Sequence, residues 1–243
     1  GSVQGTNSLS INVAGDLSLT GSIASSGPAQ LGASNDITIS AGITKPLGDL
    51  EFDAGGTLAI NAPVVLGAGD LTLQGLAIQL NELVQVASSN QVLLAPAIAD
   101  TDAVVIEAGA GRIVAGTLTQ TGTGTFGDMT LGGANQVGLL TGFNAFGTIA
   151  FNNTQSLEIS GYIYGSSGVS IDVRGGDLTV NAGITSNGPV QLRASGNISV
   201  LEETEVSGGY VDADGISLAA AFDFAAGTTD LTGAGGIMLA GSL

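Results

Sequence analysis

The stretch LEETEVSGGYVDADG, residues 201–215, carries five carboxylates: Glu202, Glu203, Glu205, Asp212 and Asp214. Hard cations such as calcium take six to eight oxygen ligands, and carboxylates at this density are how a chain supplies them. These five residues form the candidate metal set, with calcium the one ion to consider as a cofactor. A solvated acidic loop between strands is the plainer alternative. The tandem GGxGxD nonapeptides of calcium-binding β-rolls are absent.

A second constellation is GYIYG, residues 161–165, where Tyr162 and Tyr164 flank Ile163. In a strand, alternate side chains leave opposite faces. With Ile163 inward, both tyrosines point outward as a candidate ligand or partner patch. Two ordinary surface tyrosines would have the same spacing.

A third set is Asp16, Asp36, Asp49, Asp70, Asp128 and Asp177, each just before an apolar strand residue. This placement predicts turn formation, the carboxylates accepting backbone N–H bonds in Asx-type turns. Asn197 occupies the place equivalent to Asp36, as expected if the role is a turn and not a charge. TLTQTGTGT, 117–125, places threonine at five alternate positions. Ice-binding solenoids use such arrays, but other rungs put Ser, Glu or Gln at comparable outward places, so a polar strand face is the expectation.

Catalytic chemistry is poorly supplied. Polysaccharide lyases need a Lys, Arg or His base, and the chain has no His and only Lys45, Arg112, Arg174 and Arg193 as cations. Glycoside hydrolysis needs two carboxyl groups about 5–9.5 Å apart. Pairs such as Asp212 and Asp214 exist, but sugar sites also lean on aromatic platforms, and there is no Trp. The expectation is a protein that is not an enzyme, with no catalytic residue assigned. A secreted carbohydrate-active β-helix enzyme using paired carboxylates is the alternative.

The elements that must position these residues come from a repeat. Residues 15–39, GDLSLTGSIASSGPAQLGASNDITI, and 176–200, GDLTVNAGITSNGPVQLRASGNISV, share 12 of 25 positions without a gap. The offset of 161 is eight steps of about 20. One apolar series keeps that step: Leu17, Ile37, Leu58, Ile78, Ile98, Leu118, Val137, Leu157, Leu178, Ile198, Ile216, Ile237. A second runs Leu9, Ala29, Leu50, Leu71, Val92, Ile113, Met129, Ile149, Val169, Val190, Val211, Leu231. A third runs Ile23, Ile43, Val64, Val84, Val104, then Phe143, Ile163, Ile184, with an irregular rung around TGTGTFG. Most members have an apolar partner two residues on, the period of a half-buried strand.

Three short strands per 20-residue step predict a coiled chain in which each turn pairs in parallel with the next and buries its apolar face only against its neighbours. The fold expectation is all-β: a single right-handed parallel β-helix, a solenoid of about twelve coils of 20–21 residues with three short strands each. It spans residues 1–243 as one rod segment. The first two residues, Gly-Ser, read as a cloning remnant, and both ends read as cut from a longer array. Each series is expected to form one column along the rod.

Composition bounds the partners. Twenty-one acidic residues against four basic ones give a net charge of −17. That repels nucleic acid and anionic lipid, so neither is an expected partner. No apolar run reaches the about 18 residues of a membrane helix, so no membrane insertion is expected. The absence of Cys excludes disulfides and, with the absence of His, Cys/His zinc sites.

The segments GDLSL, NDITI, GDLTL, GDMTL, GDLTV and GNISV resemble the rod repeats of filamentous-haemagglutinin-like bacterial exoproteins, adhesins exported by two-partner secretion or as autotransporter passengers. The resemblance covers essentially the whole chain. It implies a secreted or cell-surface location and export through an outer-membrane transporter. It also implies a structural or adhesive role: a rigid spacer with side patches for a glycan or protein on a host or neighbouring cell. The family's amino-terminal secretion domain, with its Asn-Pro-Asn-Gly type motif, is not found. The resemblance therefore implies an interior or distal rod piece, joined to the rest of a longer parent chain.

Overall fold

Alternation of one aliphatic and one polar residue builds strands that are dry on one side only. Leu71–Gly75 is typical: Leu71 and Leu73 are fully buried, while Thr72 and Gln74 between them are part-exposed. The computed structural model describes residues 3–5, 7–97, 103–122 and 124–201. Beyond these it describes the strands Thr204–Val206, Gly209–Ala213, Gly215–Leu218, Phe222–Phe224, Asp230–Gly233 and Ile237–Leu239 as backbone.

The described residues contain no helix, and the strands stack in parallel as a β-solenoid of about nine turns. At about 4.8 Å per strand this is a stack about 43 Å long. The apolar spacing predicts about twelve coils. The rest of the expected array falls after Leu201, where described strands alternate with residues outside the description.

The first face runs through Leu9–Val13, Ala29–Ala33, Leu50–Ala54, Leu71–Gly75 and Gln91–Pro96, each strand pairing with the next. The second starts Leu17–Leu19, Ile37–Ile39, Thr57–Ile60, Ala77–Leu80. The third starts Val3–Gly5, Ile23–Ser25, with Ile43–Lys45, Val64–Leu66 and Leu83–Gln85 following. Up to this point the three series keep their columns.

Beyond residue 97 they do not, and this corrects the one-series-one-column expectation. Val92 pairs with Leu118, not Ile113. Ile113 instead covers Val84 on the third face. Ile78 is followed by Val105 and then Met129, so the second face passes from the first apolar series into the second. Ile98 lies outside the described residues. Val104 pairs with Ala77 on the second face and not with the third series. Leu139 is only half-buried; Leu140 is the inward residue. The physical reason is length. The first-face step from Val92 to Leu118 is 26 residues against 20 or 21 before it. The surplus turns the chain past its old phase before the next pairing can form.

Two long strands absorb the change by bending round corners. Arg112–Gln120 serves the third face and then the first. Met129–Thr141 serves the second, third and first in succession. The third face then ends, and a new column begins at Phe126 and continues through Phe143–Ala145, Ile163–Gly165 and Ile184–Ser186. Before the junction the third strand of each coil joins the second face to the first. After it, the third strand joins the first face to the second.

A strand column that stops inside a protein leaves backbone groups without partners. Two buried asparagines supply them. Asn135 Oδ1 accepts from Ile113 N at 2.6 Å. Asn153 Oδ1 accepts from Val137 N at 2.9 Å, and its Nδ2 donates to Val137 O at 2.9 Å. The Asn153 amide thus stands where the next strand's peptide would be.

Leu71→Asp places an unpaired charge in a fully dry row and is expected to lower stability by about 3–5 kcal/mol, read by chemical denaturation. Asn153→Ala strips partners from the end of the third face. The expected loss is about 2–3 kcal/mol, and protection of the Val137 amide from hydrogen exchange should fall with it.

Candidate functional site

The turn aspartates act between coils. Asp16 Oδ1 accepts from Asp36 N at 3.4 Å, and Asp36 Oδ1 from Thr57 N at 2.7 Å. Asp49 accepts from Asp70 N, Asp70 from Gln91 N, Asp128 from Thr148 N and Asp177 from Asn197 N. The acceptor role is as the sequence implies, but the donor lies one coil on, 20–21 residues away, and not in the same turn. The N–H bonds put these oxygens to structural use. The backbone amide and hydroxyl of Thr148 hold the Asp128 carboxyl below its usual range. At Asp70, burial pushes upward, but bonds from Gln91 and Asn90 outweigh it and the net shift is down.

Of the candidate calcium ligands, Glu202, Glu203 and Asp214 lie outside the described residues. Glu205 and Asp212 are described as backbone only, so the five-carboxylate set also lies outside the description of side chains. Backbone register sets Glu205 beside Thr185 on the added column and Asp212 beside Arg193 on the second face. Among the described residues, no group of three acidic side chains could hold a metal ion. Thr119, in the threonine array, donates its hydroxyl to Thr141 O at 2.8 Å.

The tyrosines fall on the added column. Ile163 is fully buried, Tyr162 is 54% exposed and Tyr164 is half-buried, so both rings face out. Tyr164 lies between Asn144 and Thr185 in register. Its hydroxyl accepts from Asn187 Nδ2 at 3.3 Å. Tyr162 has glycine on both sides along the rod. Gly142 and Gly183 precede Phe143 and Ile184 as Tyr162 precedes Ile163. A Cβ built on Gly142 would meet nothing within 4 Å.

Phe146, 52% exposed, follows the Phe143–Ala145 strand, at the opposite end of the column from Tyr162, and its carbonyl accepts from the Ser166 hydroxyl. The other described aromatics, Phe52, Phe126, Phe143 and Phe151, are buried. Where this column turns into the second face, an open groove of about 270 Å³ runs across three coils, lined by Thr148, Ser167, Ser170, Pro189 and Gln191 among others.

Sequence reasoning missed the polar groups inside the solenoid. Glu107 follows Leu80 on an inward row of the second face. Its Oε2 accepts from Gly133 N at 2.7 Å and Asn135 Nδ2 at 3.1 Å, while Oε1 is buried without a partner. Burial pushes its carboxyl from 4.5 up to about 7, against those two bonds. Lys45 is fully buried, its ammonium bonded to Leu47 O and, at 2.9 Å, to Gly48 O. Burial lowers its amine, opposed by the charge of Asp49. Gly48 sits at φ +81°, and a Cβ there would lie 2.9 Å from the Lys45 nitrogen. Period two was the available signal: Val105 leads to Glu107, Ile43 to Lys45, and Ile149 and Phe151 to Asn153.

Because folding raises the Glu107 pKa, the native state holds a proton that the unfolded chain has released. The contribution of Glu107 to stability is then greatest below about pH 4.5 and falls as pH rises to about 7, by at most about 3 kcal/mol. Glu107→Gln keeps an acceptor for Gly133 N and cannot ionise. Melting temperatures at pH 5 and pH 8 should converge in this variant and differ in the parent.

Compared with protein-family models, curated proteins and solved structures, the chain matches none, so the geometry above is the basis for a functional reading.

Proposed function

We propose that this chain is a structural and adhesive rod segment of a large secreted bacterial surface protein, a stiff spacer with a ligand-binding patch on its side. The observation that carries the reading is the added column. A solenoid needs only an aliphatic interior to stand, yet among the described residues the exposed rings all lie on passes over this one column. Two further features support it. The stack is built from coil-to-coil pairing, which resists bending. The net charge of −17 keeps neighbouring rods apart. In this reading the chain works outside the cell as part of a longer protein exported through an outer-membrane transporter. Its partner is a surface ligand of a host or neighbouring cell.

The fluorescently labelled chain should bind at least one of a panel of epithelial cells, bacterial cells and matrix proteins, saturably. Binding should weaken in Tyr162→Ala/Tyr164→Ala. The panel is run with calcium and with EDTA, which separates a role for the 202–214 carboxylates from one for the tyrosines. No binding in either condition would remove the adhesive half of the reading. Release of new reducing ends from polysaccharides would replace it with an enzymatic one.

A further inference from the structure

The patch also indicates the chemical class of its ligand. None of residues 142–149, 161–170 and 182–191 is charged. These are the three consecutive passes over the added column and into the groove, on a chain with 21 acidic residues. Within this charge-free window stand two exposed rings, Tyr162 and Phe146, and the half-buried ring of Tyr164. Beside them are the side-chain amides of Asn144 and Asn187, and along the groove the hydroxyls of Ser167 and Ser170; the Thr148 hydroxyl at its edge is taken by the Asp128 carboxylate at 2.8 Å. Flat π faces next to amides and hydroxyls, with no charged residue in the three passes themselves, suit a ligand with apolar C–H faces and a rim of uncharged hydroxyls.

Size points the same way. Three coils at about 4.8 Å by five residues at about 3.3 Å cover roughly 240 Å². A stable protein partner needs about 800 Å² per side. The groove, about 270 Å³, lies just under the range of small-molecule pockets.

We infer that the Tyr162–Tyr164–Phe146 strip with its adjoining groove is a binding site for an uncharged polysaccharide. The polysaccharide lies across the rod, along the strand direction, a sugar ring stacking on Tyr162 and hydroxyls meeting Asn144, Asn187 and the groove. Acidic glycans are disfavoured because the site offers no cation and the surrounding rod is negative. The inference rests on the adhesive reading and names its ligand class.

The test uses the 243-residue chain with cellohexaose, mannohexaose and maltohexaose as neutral probes and a hyaluronan hexasaccharide as the acidic one. Affinity is read by calorimetry and by tyrosine emission, which no tryptophan obscures. At least one neutral hexasaccharide should bind saturably, about tenfold or more tighter than hyaluronan. Raising NaCl to about 0.5 M should change that affinity less than about twofold, because no ion pair is involved. Tyr162→Ala should weaken binding at least about tenfold, with an unchanged melting temperature as the fold control. Tyr162→Phe, which keeps the π face, should lose less than about threefold.

The inference is overturned if no neutral probe binds by about 10 mM, if hyaluronan binds as well, or if Tyr162→Ala binds as the parent does. It is also overturned if sedimentation shows a dimer that Tyr162→Ala abolishes while no sugar binds, which would make the strip an interface between copies. Cell binding without sugar binding would end this inference and leave the adhesive reading standing. Loss of both would end both.

Discussion

Each turn of a parallel solenoid must find its backbone partners one turn away. That constraint sets nearly everything else in the molecule. It forces the inward residue of one coil to sit over the inward residue of the next, so Leu17, Ile37 and Leu58 become a ladder and not merely a pattern. It also makes any change in coil length a problem for the whole cross-section, because a strand that arrives late has no partner waiting. The turn aspartates serve the same rule at the corners, where their carboxylates take up N–H groups one coil on.

The junction between residues 97 and 141 shows how the constraint is met when coil length changes. Surplus chain shifts the phase, two long strands bend across faces, and Asn135 and Asn153 cap the abandoned third face. Glu107 takes a place on an inward row that Ile60 and Leu80 fill before it and holds Gly133 and Asn135 through one oxygen. A buried carboxyl with one unpartnered oxygen is costly when ionised. Without it the Gly133 N–H would lose its acceptor, while the Asn135 amide would keep Leu131 O and Asn152 O. The polar cluster replaces the missing strand and is not an accessory to it.

How much of this the sequence discloses depends on the kind of information. The 20-residue step and the period-two alternation are local, and they suffice for strands, for parallel stacking and for the burial of Leu71, Ile163 or Leu178. Column identity is global. GDLSL at 15–19 and GDLTV at 176–180 look like copies, yet Leu17 lies on the second face and Leu178 on the first. No local pattern records how far the chain has turned between them. Tyr162 and Tyr164 were legible because alternation fixes their direction. Phe146 was not, since it sits past its strand in the turn. Glu107, Lys45 and Asn153 occupy inward places that an apolar reading passes over, because burying them depends on partners supplied by other coils.

The same phase shift bears on function. Corresponding motifs keep their local geometry across it: Asp36 N donates to Asp16 just as Asn197 N donates to Asp177, although the two pairs lie on different faces. One irregular coil therefore rotates every later repeat by a face without altering the repeat itself. It also moves the third strand of each coil to a new side of the rod. That side carries Phe146, Tyr162 and Tyr164, so the exposed rings have no counterpart before the junction. An array that must present a patch in one direction needs no new fold for it. It needs one coil of the wrong length and two asparagines to seal the column left behind.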